Sequence, residues 1–184
     1  MPGPVFLRGD RVDLHVIEEA DLPFLQRLVN DPRVWRSLFQ VTPKRMADEE
    51  EFLEATREDT EAHFLVCDDG DPVGTVGLSG IRPHWGTGEL GYFVDPDAHG
   101  EGYATSAVGL LVDYAFDDRR LEKLHADALA TNPASQRVLE KNGFVEEGRF
   151  RDHAFVDGER VDSTPVTVAA SRAAEASIPS PRTV

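Results

Sequence analysis

Gly88-Glu89-Leu90-Gly91-Tyr92-Phe93-Val94 runs into Asp95-Pro96-Asp97-Ala98-His99-Gly100-Glu101-Gly102-Tyr103-Ala104-Thr105, and this stretch decides the fold. Residues 87–94 read as a strand, stopped by Asp95-Pro96. Residues 100–118 read as a long helix, with Ala104, Ala107, Val108, Leu111, Val112 and Ala115 as its apolar stripe. Between them lies a short loop with two glycines. Glycine lets the backbone turn tightly and brings bare N–H groups close to a ligand. The first helical turn adds unpaired N–H groups and the positive end of the helix dipole. Together they can cradle a diphosphate. A plain strand-to-helix turn carries the same Gly-x-Gly, so the loop alone leaves both readings open. Two nucleotide motifs do not fit. A P-loop needs lysine and Ser or Thr after its glycine. A dinucleotide fingerprint needs a third glycine where Thr105 stands, in an opening βαβ unit.

Working outward, residues 5–7 and 12–17 read as short strands around Gly9-Asp10. Residues 18–30 read as a helix with Leu22, Leu25, Leu28 and Val29 on one face. Asp31-Pro32 caps and starts a second helix with Trp35 and Leu38 inward, and Thr42-Pro43 starts a third over residues 44–59, with Phe52 and Leu53 inward. Strands follow at 63–68 and 72–81, joined by Asp69-Gly70. After the long helix come a strand at 121–130 and a helix at 133–142 closed by Gly143. Strands at 144–155 and 160–169 meet at Asp157-Gly158. The order predicts a single α/β (α+β) domain over residues 1–170, with helices on both faces of one sheet. Residues 171–184 lack periodicity and read as a disordered tail.

The chain has 184 residues, 34 acids, 19 bases and a net charge of −15. Such a surface argues against a nucleic-acid partner, which needs a basic patch. No apolar run approaches the ~20 residues of a membrane span, and residues 1–10 lack a signal-peptide pattern, so a cytoplasmic protein is expected. The single cysteine, Cys67, sits in an apolar run and reads as a buried structural thiol. Many acids with three lysines resemble proteins of salt-loving microbes. Self-repulsion among 34 acids predicts a higher melting temperature in molar KCl, where the Debye length is ~3 Å, than in dilute buffer. A melting temperature that stays flat or falls with KCl rejects this halophilic reading. The six histidines show no metal-ligand spacing, and no Gly-x-Ser-x-Gly elbow is present.

A second block, Asn132-Pro133-Ala134-Ser135 followed by Val138-Leu139-Glu140-Lys141-Asn142-Gly143-Phe144, completes a pattern. With the first block it resembles the GNAT superfamily of N-acetyltransferases, most closely its RimJ/RimL branch. That family's loop, Gln/Arg-x-x-Gly-x-Gly/Ala, aligns with residues 99–104. Its Asn-x-x-Ser and Glu-Lys-x-Gly-Phe signatures align with Asn132, Ser135, Glu140, Lys141, Gly143 and Phe144. Leu7-Arg8, Glu19-Ala20-Asp21 and Asp31-Pro32 are similar to the family's opening. The resemblance implies a mixed, mostly antiparallel, twisted sheet of about seven strands. It implies acetyl-CoA as co-substrate and a primary amine as acceptor, with no metal. Phe93 and Val94 would hold the pantetheine arm through backbone pairing. His99, Gly100, Glu101, Gly102, Tyr103, Ala104 and Thr105 would form the pyrophosphate loop. Asn132 would bind the pantetheine region, and Ser135 would protonate the leaving thiolate. The chain departs from the pattern at His99, where Gln or Arg is usual, and at Glu101, where relatives often carry a base.

Acetyl transfer to an amine needs a neutral amine, a donor for the oxyanion and a proton for the thiolate. Glu89 is the candidate base, directly or through water; a solvated strand carboxylate is the plainer reading. A main-chain N–H near Val94 can serve the oxyanion. Tyr92 alternates to the other face and can pack in the core instead. An α-amine, with a pKa of ~7.7–8.0, is roughly a tenth neutral at pH 7. A lysine-like amine is neutral only about once in 2,500. A weak, water-mediated base therefore favours the α-amine of a protein or peptide. A small-amine acetyltransferase is the nearest alternative, and a non-catalytic acyl-CoA sensor the alternative of another class. Trp35, Phe39, residues 82–87 and the final hairpin are expected to set the acceptor. The pattern is compatible with a monomer or a homodimer.

Overall fold

The computed structural model describes residues 2–38 and 41–170. The expected tail and Phe39 lie outside the described residues. Among the described residues, nine strands form one sheet in the order β1-β2-β3-β4-β5-β6-β9-β7, with β8 also paired to β9. β1 (Val5–Leu7), β2 (Asp13–Val16), β3 (Ala62–Asp68), β4 (Asp71–Arg82) and β5 (Thr87–Val94) are successively antiparallel. β6 (Lys123–Leu129) runs parallel to β5, and β9 (Glu159–Ala169) antiparallel to β6. The count exceeds seven partly because the expected strand at 144–155 divides. It becomes β7 (Val145–Glu146) and β8 (Phe150–Val156), and Asp152 there takes a positive φ of 50°. The hairpin turns fall where expected: Asp69 and Gly70 have φ of 48° and 85°, and Asp157 and Gly158 of 49° and 88°. Paired positive φ is what a two-residue turn between twisted strands requires.

The helices are shorter than their periodicity suggests. A 3-10 turn at Glu19–Asp21 precedes α1 (Leu22–Val29), because Asp21 accepts the Glu18 N–H and closes a capping box. Asp31 caps α2 (Pro32–Trp35) by accepting from Arg33 N at 2.8 Å. Its buried residue is Val34, not Trp35 or Leu38, which are half-buried. α3 (Met46–Ala55) starts after Arg45, whose N–H bonds to Asp48, rather than at Thr42-Pro43. α4 (Tyr103–Asp113) passes into a π turn at Tyr114–Asp118, and α5 covers Pro133–Lys141.

Two apolar layers sandwich the sheet. One packs Leu14, Val66, Val76, Leu78 and Leu90 against Val108 and Leu111 of α4 and Leu139 of α5. The other packs Leu65 and Cys67 against Leu22 and Leu25 of α1, with Phe52 of α3 alongside. Each buried side chain of this size stabilises by ~1.5–3 kcal/mol. Cys67 is fully buried, and burial beside Asp21, Asp13 and Asp71 pushes its thiol up to about 12. It is a structural thiol, as its apolar surroundings predict.

Candidate active site

The site begins where two strands part. β5 and β6 pair only at Thr87↔Lys123, Gly88↔Leu124 and Glu89↔His125. Beyond Glu89 they open into a cleft of about 410 Å³ bordered by α4 and α5. Asp95 N–H bonds to Val73 O across the Gly74↔Val94 pair. Val94 is therefore a non-hydrogen-bonded partner, and its own N–H and C=O point away from β4 into the cleft. By alternation Tyr92 and Leu90 do the same. The main-chain groups open to a ligand are thus the C=O of Leu90, both groups of Tyr92 and the N–H of Val94; the Leu90 N–H is used in the Glu89↔His125 pairing, and the Val94 C=O accepts from His99. Those of Phe93 face β4 opposite Thr75, which corrects the expectation that Phe93 offers its backbone.

The cradle follows. Gly100 and Gly102 have φ of 89° and 84°, and a Cβ at either meets nothing within 4 Å. The loop needs glycine for its left-handed backbone, and it faces open space. The first helical bond is Ser106 N to Gly102 O, so the N–H groups of Tyr103, Ala104 and Thr105 are free at the positive end of α4. His99 donates from Nε2 to Val94 O at 3.1 Å, bracing the loop against β5. Tyr103 donates its hydroxyl to Asp68. Arg11, 90 residues away, meets Glu101: Nη2 lies 3.1 Å from its carboxylate, and Nε bonds its carbonyl. The guanidinium also covers the Tyr103 ring at 5.2 Å. The pair is exposed and stabilises by only ~0–1 kcal/mol. Its sign matters more, because Arg11 cancels the acid that Glu101 brings to a phosphate loop. These features fit acetyl-CoA.

Asn132 is the N-cap of α5, with Oδ1 accepting from Ser135 N at 3.0 Å. It lines the cleft, and no partner for its Nδ2 is found among the described residues. Ser135 is therefore not a cap, and its hydroxyl is available elsewhere. It lies 2.8 Å from the Tyr92 hydroxyl, which also reaches Ser135 O at 3.2 Å. This contact bridges β5 and α5 across the cleft. Sequence reasoning assigned Tyr92 no role; the Gly91-Tyr92-Phe93 alternation set its face but not its partner. Burial raises the Tyr92 phenol, and the Ser135 bond partly offsets this. Glu89 lines the same cleft on the face of Phe93, with its carboxylate 3.7 Å from His125 Nε2 and 56% exposed.

A second cavity of about 320 Å³ lies between α1, α3 and strands β3–β5. It shares Leu38, Gly91, Tyr92 and Phe93 with the cleft. His63 lies flat across Gly77, where a Cβ would sit 2.1 Å from Nδ1. Its Nε2 is held 2.8 Å from Glu61, and its ring meets the Phe52 ring at 4.9 Å. Gly91, in register with Gly77, leaves open floor beside it. Among the described residues, no three His, Cys, Asp or Glu side chains gather as a metal site, and no helix is long and apolar enough to cross a membrane.

Residues 11–145 match the family model described as an acetyltransferase (GNAT) domain. A probable N-acetyltransferase, YjcK of Bacillus subtilis, is 40% identical over 111 residues, 59% of this chain and 61% of that protein. The match thus spans less than two thirds of YjcK. The spermidine N(1)-acetyltransferase of Vibrio cholerae is 25% identical over 84% of this chain and 90% of its own length. The crystal structure of spermidine N-acetyltransferase from Vibrio cholerae in complex with CoA and spermine shares the fold. It superposes with a TM-score of 0.85 at 24% identity, covering 90% of this chain and 99% of that one. Mycobacterium smegmatis RimJ in complex with CoA-disulfide gives 0.77 at 22%, over 95% and 91%.

Proposed function

The chain belongs to the GNAT acetyltransferase family, and from that premise we propose that it moves acetyl from acetyl-CoA to a small primary amine. Acetyl-CoA supplies the acetyl group as a thioester whose thiolate leaves. The observation that carries the reading is the junction of the two voids at Gly91, Tyr92 and Phe93. The β5–β6 cleft suits the thioester, and the largely apolar cavity suits a short amine arriving from the other face. The open N–H groups of Tyr92 and Val94 stabilise negative charge on the carbonyl oxygen. Ser135, steadied by Tyr92, gives a proton to the departing sulfur. Glu89 takes the amine's proton through solvent, as suits an exposed carboxylate.

The α-amine of a protein or peptide is the second reading. The exposure of Glu89 favours it, because a weak base suffices for an amine already partly neutral. Thiol release from acetyl-CoA separates the two. Short alkylamines and peptides of varied N-terminus are compared at equal concentration. The proposal expects higher kcat/KM for the alkylamines, and a clear preference for peptides overturns it.

A further inference from the structure

Glu49 sits in the acidic run Asp48-Glu49-Glu50-Glu51 and reads as solvated helix surface. Instead it is buried, with only 6% of its surface exposed, and it lines the 320 Å³ cavity. No hydrogen bond or ion pair reaches its carboxylate among the described residues. Its neighbours are engaged or distant. Asp48 accepts the Arg45 N–H at 2.6 Å, and His63 is held by Glu61. Lys44 lines the same cavity, and its ammonium pulls on Glu49 from beyond ion-pair distance. Burial raises the Glu49 carboxyl above the ordinary range, Lys44 partly offsets this, and Asp48 reinforces it. Its oxygens stay open to the cavity, since Ser163 Oγ is the one wholly enclosed side-chain oxygen or nitrogen without a partner among the described residues, and a partly desolvated carboxylate is favoured by a cation beside it. Leu25, Val29, Leu38 and Phe52 give the cavity its apolar wall, and Thr75 and Ser79 add hydroxyls from β4.

We propose that Glu49 is the specificity-determining anchor for a second positive charge on the acceptor, which is thus a primary amine joined by a short apolar chain to another cationic centre. The inference rests on the small-amine reading. One end of such a molecule meets the thioester above Gly91, the apolar chain lies along Leu25 and Phe52, and the far charge neutralises Glu49. Charge pairing in an apolar site is strong and discriminates sharply, because a neutral end leaves the carboxylate unpaired.

The test uses the full chain with acetyl-CoA and α,ω-diamines of three to six carbons, each against the monoamine of equal length. The best diamine is expected to exceed its monoamine by about tenfold or more in kcat/KM, chiefly through KM, as one added ion pair allows. Glu49→Gln is expected to bring that ratio close to 1. It is also expected to melt no lower than the parent, because it removes a partly desolvated charge that has no hydrogen-bonded partner. A ratio that survives Glu49→Gln, or a parent enzyme indifferent to the second charge, overturns the anchor. A lower melting temperature for Glu49→Gln also overturns it, since the carboxylate would then have an internal partner. If peptides react and neither amine does, the small-amine reading itself fails, a result distinct from the others.

Discussion

Ser135→Ala is expected to lower kcat about 10²-fold while leaving acetyl-CoA affinity nearly unchanged. A positioned proton donor contributes ~10²–10⁴-fold. The lower end applies because a thiolate, with a conjugate acid near pKa ~8.5, leaves fairly readily. The hydroxyl acts as charge develops on sulfur, so binding is spared. The alternative, a hydroxyl that only caps α5, is already weakened, because Asn132 Oδ1 takes the Ser135 N–H. Ser135→Ala removes instead one hydrogen bond to Tyr92, which costs ~1 kcal/mol of stability. Tyr92→Phe removes that bond and the one from Tyr92 to Ser135 O, and keeps the hydroxyl of Ser135. It is expected to lower kcat by only about threefold to tenfold, the kinetic equivalent of a neutral hydrogen bond. Steady-state kinetics and melting curves on both variants check this. A normal kcat for Ser135→Ala with a lowered melting temperature shows that the hydroxyl is structural.

Gly102→Val is expected to weaken acetyl-CoA binding by about 10–150-fold. The loop presents main-chain N–H groups, and each charge-assisted hydrogen bond to phosphate is worth ~1.5–3 kcal/mol. The space above Gly102 is open in the protein alone, so a side chain there obstructs the ligand and not the core. Valine also resists φ of 84°, and the left-handed backbone costs an L-residue ~1–2 kcal/mol, so some loss of stability accompanies it. Gly102→Asn separates the two effects, because asparagine tolerates this φ while still adding bulk. Calorimetric titration is expected to show weakened binding for both variants. Unchanged affinity in Gly102→Asn removes the phosphate assignment.

Local signals were legible in the sequence, and contacts across long separations were not. The β5–loop–α4 block, the stripe on α4 and the Asp-Gly turns follow from patterns within about 20 residues. The parting of β5 from β6 has no such mark, because it depends on where two strands, whose paired residues such as Thr87 and Lys123 stand 36 positions apart, stop pairing. Tyr92 and Ser135 are 43 positions apart, and their contact arises only once α5 packs over the cleft. Arg11 reaches Glu101 across 90 positions, so the charge that relieves the loop is invisible beside it. Glu49 was hidden for the opposite reason. Its neighbours Asp48, Glu50 and Glu51 make the run look solvated, while the turn of α3 carries this one carboxylate inward.

The most direct test of the central claim pairs thiol release from acetyl-CoA with mass spectrometry of the acceptor, using the full chain and short primary amines. The account predicts one free CoA for each N-acetylated amine, with release that depends on the amine. Saturable binding of acetyl-CoA with no amine-dependent CoA release would contradict it and make the chain an acyl-CoA sensor on an acetyltransferase fold.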